Sequence, residues 1–203
     1  MNANLLASRI WPANPSLARN LVFAVVGSIL VALAAQISIP MFPVPMTLQT
    51  LAVLAVGGAY GARLGAATLA LYALEGAIGI PVFANLQAGL FLPTGEIIVT
   101  GGYVIGFIFA AGLVGYLVEK GWGSSVMKLC AAMLMGAAVL YVPGLIWLAA
   151  WLDVLKGMDT IAAISAAISS GLLPFIPGDI VKAVLAALAF PAAFTLLGSS
   201  RTK

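Results

Sequence analysis

The sequence predicts an all-α integral membrane protein, a bundle of six transmembrane helices that forms a single domain over residues 1–203. Hydrophobic residues make up 63% of the chain and charged residues only 7%, whereas a soluble domain carries about 25% charged residues. So few charges cannot cover a surface that faces water, and most of the outer surface must therefore face lipid. The chain also contains six apolar runs, and a run of roughly 20 apolar residues crosses the hydrocarbon core as a helix.

The predicted spans follow one another with short connections, and the second and third are themselves short. Between the fifth and sixth spans, a charged start is followed by a small amphipathic stretch over residues 161–168, which predicts a helix lying at the surface. The predicted bounds of the six spans are 21–39, 48–60, 66–80, 102–118, 129–151 and 175–197.

The basic residues orient this predicted bundle, because loops on the cytoplasmic side carry an excess of Lys and Arg. With six spans and the N-terminus inside, only Lys156 and Lys182 fall on the external side. The sequence therefore predicts that both termini lie inside. The basic residues then on the cytoplasmic side are Arg9, Arg19, Arg63, Lys120, Lys128, Arg201 and Lys203.

The N-terminal segment has an alternative interpretation as a secretory signal peptide. Arginines precede an apolar core, and the small residues around 32–34 resemble a cleavage site. Cleavage would leave five spans, and the apolar run continues past this point to Ile39. We therefore expect an uncleaved first span.

Ala24, Ser28 and Ala32 share one face of this first span at four-residue spacing. Small residues in such a pattern let another helix approach closely. The face packs either within the bundle or against a separate membrane subunit, and the spacing alone does not distinguish the two.

Several chemistries are excluded by residues that the sequence lacks. It contains no histidine, which removes Ser-His and Cys-His catalysis and the HExxH zinc site. The single Cys130 excludes a disulfide framework and cysteine-based metal clusters, so no metal or cofactor is expected. No GxxxxGK[ST] phosphate loop is present, and ATP hydrolysis would have to come from a partner. The net charge of +3 is dispersed, which excludes a nucleic-acid partner.

The two long connections on the external side are unusually apolar. Residues 39–49 include three prolines and so do not form a regular helix. Residues 80–96 are long, apolar and interrupted by glycine. Irregular backbone with few charges predicts loops that fold inward over a cavity.

Asp179 and Lys182 open the sixth span and, three residues apart, share one helix face. Pro177 and Gly178 fit a helix start, where the helix dipole favours an acidic residue. Ionisable residues in a span usually face the bundle interior, although a boundary ion pair with Lys182 extending to the interface is the alternative. The functional interpretation is a ligand site, in which the lysine binds a carboxylate and the aspartate accepts N–H bonds from a polar ring.

Further side chains on the same predicted face can complete this site. Thr47, Gln49, Asn85 and Tyr103 can add hydrogen bonds, although each of them is alternatively a cap or turn former. Glu75, within the third span, has no assigned role. Four aromatic residues can wall an apolar pocket or serve as interface anchors, namely Phe42, Phe83, Phe91 and Phe175.

Five segments of the chain form a recognisable set, namely residues 39–40, 43–49, 79–83, 101–107 and 174–182. Together they resemble the BioY family of biotin transporters, and the resemblance covers essentially the whole chain. One departure lies in the loop of residues 85–100, which looks longer than usual and has Val99 where members often carry proline.

The resemblance implies the biotin-specific S component of an energy-coupling factor (ECF) transporter, a non-enzymatic multi-pass protein of the bacterial cytoplasmic membrane. In that family the partners are a transmembrane T component and two cytoplasmic ATPases. The aspartate and lysine that bind biotin match Asp179 and Lys182, and an asparagine of the third loop matches Asn85. The small residues that contact the T component would be Ala24, Ser28 and Ala32.

Two other functions remain open at this point. The first is the same transporter class with another small vitamin as its substrate. The second is an intramembrane aspartyl protease with a GxGD pattern, but Ile176 replaces the first glycine and no second aspartate lies mid-span.

Overall fold

The computed structural model describes residues 5–10, 16–89 and 98–199, with the side chains of the last helix described through Phe190. Within these ranges the chain is helical apart from one two-stranded hairpin and a few short turns.

The first long helix crosses the whole bundle. A short helix, α1 (Leu6–Ile10), precedes α2 (Leu17–Gln36). Ser16 caps α2, because its Oγ accepts a hydrogen bond of 3.2 Å from the backbone N–H of Arg19. Such a cap satisfies one of the N–H groups that have no partner within the helix.

The segment rich in proline is not helical, as the sequence predicts, and it forms a hairpin. Strand β1 (Ser38–Ile39) pairs antiparallel with β2 (Met46–Thr47). The three prolines between these ends cannot donate to a helical ladder, and the hairpin folds back over the start of the next helix.

Two shorter helices follow, joined by a single residue. Helix α3 (Gln49–Tyr60) and helix α4 (Ala62–Ala77) meet at Gly61, whose φ is +85°. This conformation is readily available only to glycine. A Cβ at this position would also press on the carboxylate of Glu119, the end of a flexible side chain that can move aside, so the backbone conformation is what requires glycine. A 3-10 turn (Ala84–Leu86) follows α4.

The remaining helices complete the bundle. Helix α5 (Gly101–Glu119) packs against α3, α4 and α6 (Val126–Lys156) and is the central helix of the core. Helix α7 (Thr160–Gly171) lies against α6, and a 3-10 turn leads into α8 (Ile176–Ser199).

Helix α7 corresponds to the amphipathic stretch predicted over 161–168. Asp159 caps it by accepting hydrogen bonds from the N–H groups of Ile161 and Ala162. Ala163 and Ala167 are buried, whereas the isoleucines of the opposite face are exposed. The predicted helix is present with one packed face, and its position at the membrane surface stays a prediction.

Four described segments are long and apolar enough to cross a membrane: Leu17–Gln36, Gly101–Glu119, Val126–Lys156 and Thr160–Phe190. The last of them runs from α7 into α8. Helices α3 and α4 contain 12 and 16 residues and are therefore about 18 and 24 Å long, less than the about 30 Å of the hydrocarbon core. A multi-pass helical architecture is confirmed, whereas the count of six spans stays a prediction.

The outer surface is apolar. Large hydrophobic side chains of α2 point outward along its whole length, which a water-facing helix would not tolerate. The exposed residues on this helix are Leu17, Leu21, Val22, Val25, Val26, Ile29, Leu30 and Leu33.

Candidate ligand-binding site

A cavity lies at one end of the bundle, where α2 and α4 end and α3, α5 and α8 begin. The hairpin and the turn after α4 close part of its mouth. It contains about 560 Å³ of space free of protein atoms, part of it open to the exterior. Its wall is formed by Val44, Pro45, Thr47, Gln49, Thr50, Tyr72, Phe83, Ala84, Thr100, Tyr103, Val104, Phe107, Leu140, Tyr141, Phe175, Asp179 and Lys182.

Asp179 and Lys182 form a buried ion pair in the first two turns of α8. Lys182 Nζ lies 3.1 Å from Asp179 Oδ1, and the two residues are only 9% and 5% exposed. A buried pair compensates for its desolvation only if further hydrogen bonds satisfy it. The surroundings of the pair therefore decide whether it is stable.

Thr50 supplies part of this compensation from the first turn of α3. Lys182 Nζ donates to Thr50 Oγ1 at 2.8 Å, and the threonine hydroxyl donates to Asp179 Oδ1 at 3.2 Å. The three side chains thus form a closed triangle between α3 and α8. Thr50 was not among the residues predicted from sequence, although it directly follows Gln49.

Tyr141 satisfies the other aspartate oxygen. Its hydroxyl donates to Asp179 Oδ2 from the middle of α6. Its ring packs edge-to-face against Tyr103, with 6.1 Å between the ring centroids. The sequence analysis did not identify Tyr141, because nothing local marks a tyrosine within an apolar helix as a partner of α8.

The polar cluster keeps hydrogen-bonding capacity for a ligand. An ammonium group has three N–H donors, and Lys182 uses two of them on described side chains. An ionised carboxylate has about four acceptor positions, and Asp179 uses three of them. Among the residues that the structure describes, one donor of Lys182 Nζ and one acceptor position of Asp179 Oδ2 therefore stay unused.

Gln49 and Thr47 form a second polar patch on the wall. Gln49 Nε2 donates to Tyr72 Oη at 2.6 Å, and the tyrosine hydroxyl donates to the carbonyl of Val82 at 3.0 Å. Thr47 Oγ1 donates to Gln49 Oε1 at 3.3 Å. The structure thus brings both predicted residues to the cavity and shows that they also link α3, α4 and the turn after α4.

Tyr103 lines the cavity with its ring, but its hydroxyl has another function. It donates to the carbonyl of Gly171 at 2.8 Å, at the C-terminal end of α7. The residue therefore holds α7 against α5. Its hydroxyl proton is used by Gly171, whereas its oxygen can still accept a hydrogen bond from a ligand N–H.

The apolar part of the wall includes two of the four predicted aromatic residues, Phe83 and Phe175. Phe83 packs against Gly76 so closely that a Cβ there would lie 2.0 Å from its ring. Phe42 is 84% exposed and does not line the cavity. Phe91 falls outside the described residues.

Asn85 is not among the residues that form the wall of the cavity, and its contact with a ligand stays a prediction. Its backbone is left-handed, with φ 58° and ψ 33°, and its side chain is exposed while the preceding Ala84 is buried against the cavity. Asparagine adopts this conformation more readily than most residues. The structure thus gives Asn85 a role in the turn.

Ala24 and Ser28 are buried within the bundle, and Ala32 is half-buried. Ser28 Oγ donates to Glu75 Oε1 at 3.1 Å, which links α2 to α4 and gives the carboxylate of Glu75 a partner. In this arrangement, Ala24 and Ser28 serve packing against α4. Contact with a separate subunit stays a prediction, and Ala32 is the most accessible of the three residues.

The comparisons with known proteins agree with one another. A family model described as the BioY family matches residues 3–199. A biotin transporter BioY from Thermotoga maritima is 37% identical over 171 residues, which cover 84% of this chain and 92% of that protein. A biotin transporter BioY from Rhizobium etli is 37% identical over 180 residues, which cover 84% of this chain and 90% of that protein.

The fold also has a counterpart among solved structures. The S-component for biotin from an ECF-type ABC transporter, solved at 2.1 Å, superposes with a TM-score of 0.65 over 85% of this chain and 89% of that chain. At 24% identity, this similarity concerns the fold. The family match over nearly the whole chain and the identity to the curated relatives show that the chain belongs to the BioY family.

Proposed function

We propose that this chain binds biotin in the cavity and serves as the substrate-binding S component of a biotin uptake system in the bacterial cytoplasmic membrane. The observation that carries the proposal is the buried cluster of Asp179, Lys182, Thr50 and Tyr141 beside an apolar wall. The relatives named biotin transporters support the choice of ligand.

The cavity matches the chemistry of biotin. Ligand pockets usually combine mostly apolar walls with a few placed polar groups. The bicyclic ring and aliphatic chain of biotin would pack on Phe83, Phe107 and Phe175. The polar cluster would fix the orientation of the ligand.

The distance within the ion pair indicates which end of biotin the pair holds. Lys182 Nζ lies 3.1 Å from the Asp179 carboxylate, at Oδ1, and the unused acceptor position is on Oδ2 of the same group, so both side chains would contact the same part of a ligand. The ureido ring of biotin presents an N–H donor beside a C=O acceptor. That arrangement complements the acceptor left on Asp179 and the donor left on Lys182. The geometry therefore favours the ureido ring over the carboxylate that the sequence analysis assigned to Lys182.

Energy for transport would come from partner subunits. The chain has no phosphate-binding loop, and the similar solved structure is an S-component of an ECF-type ABC transporter. We propose a transmembrane T component and two cytoplasmic ATPases as partners, in the surrounding lipid bilayer. The relatives are named as transporters, which favours this function over an intramembrane enzyme.

The proposed topology has six passes with both termini inside and the cavity outside. The helix ends support it, because α2, α3, α4, α5, α6 and α8 alternate between the cavity end and the opposite end of the bundle. The distribution of basic residues between the loops supports the orientation.

The direct test is binding of radiolabelled biotin to the purified protein. Lys182→Met and Asp179→Asn are expected to weaken binding at least about thirtyfold, because removing one partner of a buried charge pair costs about 2–5 kcal/mol. Lys156→Met is the matched control, since Lys156 is exposed and stacks on Trp151. Gel filtration and thermal unfolding of each variant separate loss of the site from loss of the fold.

If both site variants bind biotin as well as the wild type does, the assignment of the site is wrong. If the wild type binds another vitamin more tightly than biotin in a competition panel, the site stands and the ligand changes.

A further inference from the structure

A second concave site lies at the end of the bundle opposite the cavity, in a groove between the first halves of α2 and α4. Both helices begin at this end and run in the same direction, since Ser28 lies beside Glu75 further along. The groove is lined by Leu17, Asn20, Leu21, Ala24, Arg63, Leu64, Ala67 and Leu71.

The depth of the groove corresponds to one leaflet of a membrane. From Arg63 to Leu71, helix α4 advances eight residues, or about 12 Å along its axis. One leaflet contributes about half of the about 30 Å hydrocarbon core. A chain lying in the groove would thus run from the membrane boundary to near the bilayer centre.

Small side chains form the floor of the groove, and leucines form its sides. Ala24 and Ala67 leave space between the helices, while Leu17 and Leu21 on one side are exposed to the surroundings. An apolar chain fits this surface, because the groove walls beyond its first turn carry no polar side chain.

The open end of the groove carries an unpaired positive charge. The guanidinium group of Arg63 is exposed and has no hydrogen bond or ion pair with any side chain that the structure describes. Glu119, the last residue of α5, lies near the start of α4. Its carboxylate accepts a hydrogen bond of 3.0 Å from the backbone N–H of Ala62. Asn20 adds an amide across the groove.

We propose that this groove binds an anionic phospholipid, with the headgroup phosphate on Arg63 and Asn20 and one acyl chain along the leucines. Arginine binds phosphate through two parallel N–H bonds, and basic pockets between membrane helices bind anionic headgroups. The charge at the boundary and the apolar walls beyond it match the two parts of such a lipid. This site is separate from the proposed biotin cavity, because it lies at the other end of the bundle.

Native mass spectrometry of the full chain tests the proposal, with protein taken from nanodiscs containing phosphatidylglycerol and phosphatidylcholine. The wild type is expected to retain phosphatidylglycerol preferentially. Arg63→Gln is expected to lower the phosphatidylglycerol preference about fivefold, the contribution of one basic residue near an anionic surface. The matched control is Lys128→Gln, which removes another exposed cation at the same end of the bundle. It is expected to leave the phosphatidylglycerol preference unchanged.

A second pair of variants tests the groove itself. Ala67→Leu fills the groove and is expected to reduce retention of both lipids, whereas Ala70→Leu, an exposed alanine outside the groove, is expected to leave it unchanged. Unchanged biotin affinity in all four variants shows that they are folded.

Equal phosphatidylglycerol retention by Arg63→Gln and the wild type would overturn the proposal. If Arg63→Gln retains lipid but loses copurification of a partner membrane subunit, the groove is a protein-docking surface and the lipid site is wrong.

Discussion

Thr50 is the residue on which the polar cluster depends, because it contacts both members of the ion pair. Its hydroxyl accepts from Lys182 and donates to Asp179, so it fixes the lysine ammonium relative to the carboxylate. Without it, the ammonium would lose one of two partners in a site that excludes most water. A ligand would then meet a donor and an acceptor that are no longer held side by side.

Thr50→Val removes this hydroxyl and keeps the shape of the side chain. We expect biotin affinity to fall roughly tenfold, the low end of what a hydrogen bond to a charged group contributes. Thr68→Val is the control, since Thr68 is buried in α4 and donates only to the carbonyl of Leu64. Equilibrium binding of labelled biotin measures both, and equal affinities would show that Thr50 does not position the pair.

Ligand analogues separate the two ends of biotin. If Asp179 and Lys182 hold the ureido ring, diaminobiotin, which lacks the ureido carbonyl, is expected to bind far more weakly than biotin methyl ester. If Lys182 holds the carboxylate, the methyl ester is expected to lose affinity instead, and Lys182→Met should lose the discrimination between acid and ester. Competition against labelled biotin distinguishes the two outcomes.

The spacing of residues along the sequence identified part of the site and could not identify the rest. Asp179 and Lys182 are three residues apart, so helical spacing alone places them together. Thr50 and Tyr141 reach Asp179 from 129 and 38 residues away, and only the packing of α3 and α6 against α8 creates these contacts. The left-handed backbone of Asn85 and its exposed side chain could not be predicted either, because no sequence spacing specifies the direction of a side chain in a turn.

At the scale of elements, apolar runs predicted the helices well and their ends less well. The predicted span 102–118 became α5 (Gly101–Glu119), whereas 129–151 became the longer α6 (Val126–Lys156). The extra turns of α6 include charged residues beyond the apolar run, and hydropathy therefore does not detect them. The hairpin was predicted only as a non-helical segment, since pairing of such short strands depends on the helices that they cover.

Helices α3 and α5 approach each other closely because one of the contacting residues is a glycine. A Cβ at Gly57 would lie 2.6 and 2.7 Å from backbone atoms of Ala111, and backbone cannot move aside as a side chain can. Gly57→Ala is therefore expected to separate the helices and to destabilise the protein by about 1–3 kcal/mol, as overpacking of a core does.

Gly112→Ala is the matched control for this prediction. It is also a helical glycine, but a Cβ there would meet only Ala66 Cβ, at 3.6 Å. Because alanine favours a helix over glycine by about 1 kcal/mol, this variant is expected to be neutral or stabilising. Thermal unfolding in detergent measures both variants, and a lower melting temperature for Gly112→Ala than for Gly57→Ala would contradict the argument.

At the scale of the whole molecule, the two ends of the bundle differ in chemistry. One end carries the cavity with its buried ion pair. The other carries Arg63 and the groove between α2 and α4. The proposed capture of a ligand at one end and docking of partners at the other would use this difference, and the distribution of basic residues predicts which end faces the cytoplasm.

Labelling from one side of the membrane tests this orientation. The sequence has one cysteine, Cys130, so Cys130→Ala gives a background into which single cysteines are placed at the exposed positions 63 and 156. Lys156 lies at the end of α6 on the cavity side, and Arg63 lies at the start of α4 on the opposite side. If the cavity faces outside, a maleimide that cannot cross the membrane should label Lys156→Cys in intact cells. It should label Arg63→Cys only after the membrane is opened. The reverse pattern would place the cavity in the cytoplasm and would contradict a role in capturing biotin from outside.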